Sequence, residues 1–351
     1  MYVIALGTAA PSHRYSQTQC WEALRAAPQC AALTSRSRAI LKKVLLGDNG
    51  IASRHLVLAP LSEVFDPTPD TLNARFAKHA PILATQAAEV ALKRANTKSK
   101  EIDALLISTC TGYLCPGLSS YVGERLGLRA DVLALDLVGQ GCGAALPNLR
   151  TASALLSSGH CRRALSVCVE VCSAAFFLDD DPGVLVSACL FGDGAAAAVL
   201  SDRPHPGNRR IEWRGARSVH DPANRECLRF EQRGGMLRNL LGKEVPALAA
   251  GHAERLLSQS LKQSGVSRSE VTNWLLHAGG RDVLLALRQR LGLSEADVRW
   301  SAAVLHEYGN ISSPSVLFAL EAALGQAPGG YWWMASFGAG FSGHAALLKV
   351  D

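Results

Sequence analysis

Two stretches of this chain close in the same way, and that repetition limits the folds open to it. FGDGAAAAVL (191–200) and FGAGFSGHAALL (337–348) each set a Phe-Gly-x-Gly turn before an apolar, strand-like run. Each ends a strand–loop–helix–strand succession. Cys142 opens the helix of the first, and Asn310 lies just before the helix of the second. Strand-like and helical runs alternate throughout, which is the pattern of an α/β chain. MYVIALG, ALLISTC, DVLALDL, ALSVCVE and AAAAVLS are strand candidates in the first part; NWLLHA, YWWMASFG and GHAALLKV serve the second. Helices are predicted over 81–95, with Pro81 in its first turn, over 142–158, and near 247–264, 281–291 and 312–324. The reading is two related halves, 1–205 carrying Cys142 and 206–351 carrying His277 and Asn310. The Pro-, Gly- and Arg-rich stretch 203–225 reads as the boundary, its arginines as solvated surface.

Composition narrows the function classes. With 48% hydrophobic and 19% charged residues in 351, the chain has the make-up of a globular protein with a large interior. Its net charge of +6 is spread along the sequence, so no nucleic-acid surface is expected. A mildly basic protein does suit anionic small molecules such as coenzyme A esters. MYVIALGTAAP lacks a basic n-region and reads as a first strand, not a signal peptide. No apolar run approaches the roughly 18 residues of a membrane span. Ten cysteines without a secretory signal point to the cytoplasm. The absence of a CxxC pair argues against a metal site, and most of the thiols read as small core hydrophobes.

Three residues stand in contexts that suit chemistry. Cys142 sits in GQGCGA, after a strand and before a helix, where unpaired amides and the dipole favour a thiolate. Gly141 and Gly143 permit a strained turn and close substrate approach. The plainer reading is a buried core cysteine. His277 ends an apolar strand in NWLLHAGG and is either a core histidine or a group aimed beyond the strand end. Asn310, in HEYGNISS, is either a helix N-cap or a polar site residue. Together they fit the nucleophile, base and orienting-group logic of acyl transfer. A papain-like context fails because Cys142 lies mid-chain and is followed by Gly-Ala-Ala. A nucleophile elbow fails because Gln140 and Ala144 stand where glycines are needed.

GQGCGA, LFGDGAAA, HAGG and EYGNISS occur in an order and spacing that resemble the type III polyketide synthases, the chalcone-synthase-like family of the thiolase fold. STCTGYLCPG (108–117) is similar to that family's initiation-cavity segment, and the resemblance runs from residue 6 to the final strand. It implies a five-layered αβαβα thiolase fold and a homodimer. It also implies an acyltransferase that extends an acyl-CoA starter by decarboxylative condensation with malonyl-CoA, without a cofactor. Carried over, Cys142 takes the starter as a thioester, and His277 and Asn310 hold the malonyl thioester carbonyl. His277 also pairs with Cys142 to keep it ionised, and Phe191 is the gatekeeper between CoA tunnel and cavity. Cys110, Thr111, Cys115, Cys172, Ala175, Gly235, Ser312 and Phe337 fall in the substrate cavity; Lys42, Lys43 and Arg54 are the candidate CoA contacts.

Two departures bear on the product. SFGAG (336–340) has Ala339 where the family has proline, and many cavity positions are small. Small linings favour a long or bulky starter, hence an alkylpyrone or alkylresorcinol; an aromatic product from malonyl units alone is the second reading. Further alternatives are a single condensation of the β-ketoacyl carrier-protein synthase III kind and a non-catalytic thiolase-fold partner.

Overall fold

The computed structural model describes residues 1–65, 67–207 and 209–351. Its strands are β1 (Tyr2–Ala9), β2 (Arg14–Ser16), β3 (Ser53–His55), β4 (Ala104–Ser108) and β5 (Leu133–Leu137). Then come β6 (Arg163–Glu170), β7 (Gly194–Ser201), β8 (Ile211–His220), β9 (Leu228–Arg233) and β10 (Met236–Leu241). The last are β11 (Val271–Leu276), β12 (Gly330–Gly338) and β13 (Ser342–Val350). Nine of them form one ladder in the order β11-β12-β13-β8-β1-β7-β6-β4-β5, while β9 and β10 make a separate hairpin.

Every residue of β4 and β7 is buried, because each strand has helices on both faces. The side-chain period of two sorts them. Leu105, Ile107, Ala195, Ala197 and Val199 pack outward with Ala84, Ala87 and Val122, whose helices are Pro69–Arg94 and Leu118–Leu126. Leu106, Ala196 and Ala198 face the opposite way, onto Leu146 and Leu149 of helix Ala145–Ser157 and Leu317 and Leu320 of helix Ser315–Leu324. Trp332 and Met334 of β12 close the same central layer from the other side. Trp333 and Ala335 face away, onto Leu256 and Leu257 of helix Val245–Ser264 and Leu287 of helix Arg281–Arg290. The order is helix, sheet, helix, sheet, helix, the expected five layers.

Two expectations need correction. Pro81 lies inside helix Pro69–Arg94; the true start is Thr68, whose hydroxyl accepts from Thr71 N–H at 3.1 Å, with Pro69 next. The helix continues through Pro81, which lacks one backbone donor, because Ala80, Leu83, Ala84 and Ala87 bury its face. The stretch 203–225, read as the boundary between halves, contains β8, which pairs with β13 from Ile211 to His220 and meets β1 at Tyr2 and Glu212. Nor is Arg209 merely solvated: it donates to Leu324 O and Ala327 O at 2.9 Å, capping the end of helix Ser315–Leu324.

Candidate active site

Cys142 is buried in a short 3-10 turn, Gly141–Gly143, that leads into helix Ala145–Ser157. The turn is pressed against the end of β12. Ser336 Oγ donates to Gly143 O at 3.0 Å. A Cβ on Gly338 would stand 2.0 Å from Gln140 O and 2.7 Å from Gly143 N. Gly141 has φ +54°, and a Cβ there would meet the Ala339 amide nitrogen at 2.9 Å. The glycines therefore admit the chain's own SFGAG segment, a role beyond the substrate approach expected of them.

β11 ends just before His277, whose N–H donates to Ala335 O at 2.8 Å and prolongs the ladder. His277 Nδ1 lies 3.0 Å from Ser315 Oγ, and the Ser315 hydroxyl donates to Ser312 O. A hydroxyl has one hydrogen, so Ser315 accepts from Nδ1–H, and Nε2 is left with a lone pair. Asn310 follows Gly309 and does not cap a helix; Pro314 precedes the next one. Its Oδ1 accepts from Ser312 N–H at 2.8 Å, and its Nδ2 donates to Gly279 O at 2.9 Å. One of its two amide hydrogens is thus committed and one remains. Held this way, Ser312 takes φ +55°, uncommon for a side-chain-bearing residue, and its hydroxyl reaches Cys142 Sγ at 3.1 Å.

Beneath them lies a carboxylate missed at the sequence level, because Glu170 ends an apolar strand with no motif around it. It is fully buried and accepts from Ser313 Oγ at 2.6 Å, Cys110 N–H at 3.0 Å and Thr111 Oγ1 at 3.0 Å. Burial raises its pKa, and these donors oppose the rise. Ser315, which orients His277, also went unread.

Two cavities meet here. The outer one, about 580 Å³, is lined by Cys142, His277, Asn310, Phe191 and Phe337, with Lys43 and Arg281 also on its wall. The inner one is lined by Cys110, Thr111, Cys172, Ala175, Ser312 and Phe191, which were expected there, and by Phe176, Phe177, Phe230 and Leu237, which were not. Its free space is about 20 Å³, room for roughly one water. Phe191 lies between the two, bridged to Asn310 through Asn310 N–H to Leu190 O at 2.9 Å and Gly192 N–H to Asn310 O at 3.0 Å.

Four expected site residues fall elsewhere. Cys115 is exposed and lines neither cavity. Gly235 is exposed at the turn of the β9–β10 hairpin, whose apolar side chains reach the inner cavity in its place. Lys42 is exposed and lines neither cavity. Arg54 is buried and donates to Ala188 O at 2.6 Å and Phe191 O at 2.9 Å, so its charge fixes the backbone at Phe191 and is not offered to a phosphate. Arg281, paired with Asp48 at 3.2 Å, is the basic residue that the sequence did not single out.

Burial pushes the Cys142 thiol up to about 12, although the Ser312 hydroxyl lowers it. Burial also pushes the His277 imidazole down to about 4. Each group alone is held neutral, so burial works against the lowered thiol pKa expected from the helix end.

Comparison with known families supplies the context for this geometry. The profile for chalcone and stilbene synthases, N-terminal domain, matches residues 1–204, and that for the C-terminal domain matches 225–327. A 3,5-dihydroxyphenylacetyl-CoA synthase of Amycolatopsis balhimycina is 31% identical over 98% of this chain and 91% of its own length. The enzyme of the same name from Streptomyces toyocaensis is 29% identical over 99% and 89%. Among solved structures, the C-terminal type III polyketide synthase domain of Steely1 from Dictyostelium superposes with a TM-score of 0.89 at 25% identity, covering 99% of each chain.

Proposed function

The chain belongs to the chalcone and stilbene synthase family, the type III polyketide synthases, and from that premise we propose how its residues divide the work. It is an acyltransferase that builds a polyketide by decarboxylative condensation with malonyl-CoA. In our reading, His277 Nε2 takes the Cys142 proton and the thiolate attacks the starter thioester, expelling CoA as its thiolate. Nε2–H and the uncommitted Asn310 Nδ2–H then hold the malonyl thioester oxygen. As the carboxylate leaves as CO₂, its bonding pair passes into an enolate whose charge falls on that oxygen. The enolate carbon attacks the Cys142 thioester and displaces the cysteine. Return of the lengthened chain to Cys142 allows the next round. Asparagine does not titrate near neutral pH, so its donor persists through every round. The convergence of Cys142, His277 and Asn310 on one cavity carries this reading.

For the product, we favour a malonyl-derived, polyhydroxylated aromatic over the alkylpyrone or alkylresorcinol expected from small lining residues. Phe176, Phe177 and Phe230 fill the space that those small residues leave, so any chain entering the inner cavity needs them to swing aside, and a long alkyl starter needs more of that movement than a short malonyl-derived chain. The relatives named for a dihydroxyphenylacetyl product support the same choice. Lys43 and Arg281 are the proposed phosphate contacts. Residues 1–205 and 206–351 are proposed as the two thiolase-like halves. A homodimer would cover Tyr113, Tyr121, Leu133 and Val138, which are exposed near the β5 end of the ladder.

The test is product mass spectrometry with labelled malonyl-CoA, alone and with a panel of short and long acyl-CoAs. An aromatic carrying several malonyl-derived units from malonyl-CoA alone is expected. A product with one such unit would instead support the single-condensation alternative.

A further inference from the structure

We propose that Asn239 determines specificity at the passage between the cavities, its Oδ1 accepting a hydrogen bond from an enolic or phenolic hydroxyl of the extending chain. Asn239 lies on β10 and is 6% exposed. Among the described residues, Phe191 and Asn239 are the two that line both cavities. The side chain is pinned in one orientation: Nδ2 donates to Ser187 Oγ at 2.8 Å, and the Ser187 hydroxyl donates to Gly183 O at 2.7 Å. Ser187 has no second hydrogen to give, so it can only accept from the amide. That fixes Oδ1 as the other terminal atom, which is buried and has no hydrogen-bond partner among the described residues.

Buried amide oxygens without a partner are uncommon in folded proteins and call for an explanation. A donor supplied by the substrate provides one. A growing chain anchored at Cys142 must pass Phe191 and Asn239 to enter the inner cavity. Its keto groups offer acceptors only, while its enol and phenol tautomers offer O–H donors. An alkyl chain offers none and leaves Oδ1 unpaired, and polar sites of that kind discriminate strongly against a ligand lacking the donor. Pantetheine amides also carry N–H, but they lie on the CoA side of the thioester, away from the inner cavity. Oδ1 is closed off in this structure, so in the proposal a chain entering the passage reaches it as the surrounding side chains move apart, and the passage then selects oxygenated over alkyl chains.

This inference deepens the aromatic-product reading and rests on it. The experiment gives wild type, Asn239→Leu and Ser187→Ala malonyl-CoA together with octanoyl-CoA, and measures the ratio of malonyl-derived aromatic to alkyl-primed product. Asn239→Leu keeps the side-chain volume and removes the acceptor; its ratio should move at least tenfold toward alkyl products. Ser187→Ala leaves the passage unfilled and frees the amide to turn, so a smaller shift of the same sign is expected. Ratios unchanged in both variants overturn the assignment. So does an equal rise in KM for every CoA thioester, which would put pantetheine at Oδ1. A Cys142 acyl adduct by intact mass shows that Asn239→Leu is folded; without one, Ser187→Ala alone decides. A wild type that makes no aromatic from malonyl-CoA overturns the product reading. Variants that match an aromatic-forming wild type overturn only the role of Asn239.

Discussion

Ser312 donates its hydroxyl to the sulfur of Cys142 across 3.1 Å, from a backbone held in the left-handed region by the Asn310 side chain. The third member of the proposed triad thereby positions a donor against the first. A hydrogen bond to a charged acceptor contributes roughly 1.5–3 kcal/mol. Ser312→Ala should therefore slow alkylation of Cys142 by iodoacetamide at neutral pH by about tenfold or more. An unchanged rate would show that the contact is idle in the thiolate state.

His277 should govern how that alkylation depends on pH. Burial alone drives the thiol up to about 12, so the thiolate at neutral pH depends on a protonated neighbour. His277→Ala removes that neighbour. The alkylation rate at pH 7 should fall by two orders of magnitude or more, about 3 kcal/mol, and climb again only at alkaline pH. A profile that matches wild type would transfer the role to another group.

Buried histidines also make the fold sensitive to acid. His344, like His277, is driven down to about 4, first by burial and then by Arg150 and His220. A folded pKa below the unfolded value of about 6.5 means that the unfolded chain binds more protons between those values. The stabilising contribution is complete above about pH 6.5 and is lost as pH falls toward 4, roughly 3 kcal/mol for each ring. Glu170 and Asp193, raised by burial, act in the opposite sense. Comparing wild type with His344→Gln isolates one ring: the loss of Tm between pH 7 and pH 5 should be smaller in the variant. An equal loss in both proteins would contradict the buried-neutral assignment.

The cysteine turn and SFGAG should tolerate no side chain between them. A methyl group on Gly338 would overlap Gln140 O at 2.0 Å, and both partners are backbone. Gly338→Ala should cost about 3 kcal/mol or prevent folding, seen as a large drop in Tm. Gly251→Ala, on an open face of helix Val245–Ser264 with nothing within 4 Å, is the matched control and should not lower Tm. A stable Gly338→Ala variant would mean that the loop can withdraw.

Sequence carried the frame of this molecule further than its fittings. Buried runs such as ALLIS and GAAAAVLS read directly as strands, and Cys142, His277 and Asn310 stood out because glycines or polar turns interrupt apolar patterns around them. The β9–β10 hairpin did not stand out, since LRFEQR and MLRNLL mix charge with half-buried apolar residues. Asn239, Phe230 and Leu237 were lost with it. Arg54 misled because a basic residue in a polar context reads as surface; the three partners that Gln17, Ala188 and Phe191 supply are invisible before the chain is folded. Glu170 and Ser315 acquire meaning only from distant residues brought beside them.

The most direct measurement is intact-protein mass spectrometry of wild type and Cys142→Ala after incubation with a short acyl-CoA and malonyl-CoA. The account predicts a wild-type adduct at the mass of the starter, joined by adducts longer by two or more ketide units, and none on Cys142→Ala. Adducts of equal mass on Cys142→Ala, or a wild-type series that stops after one unit, would contradict it.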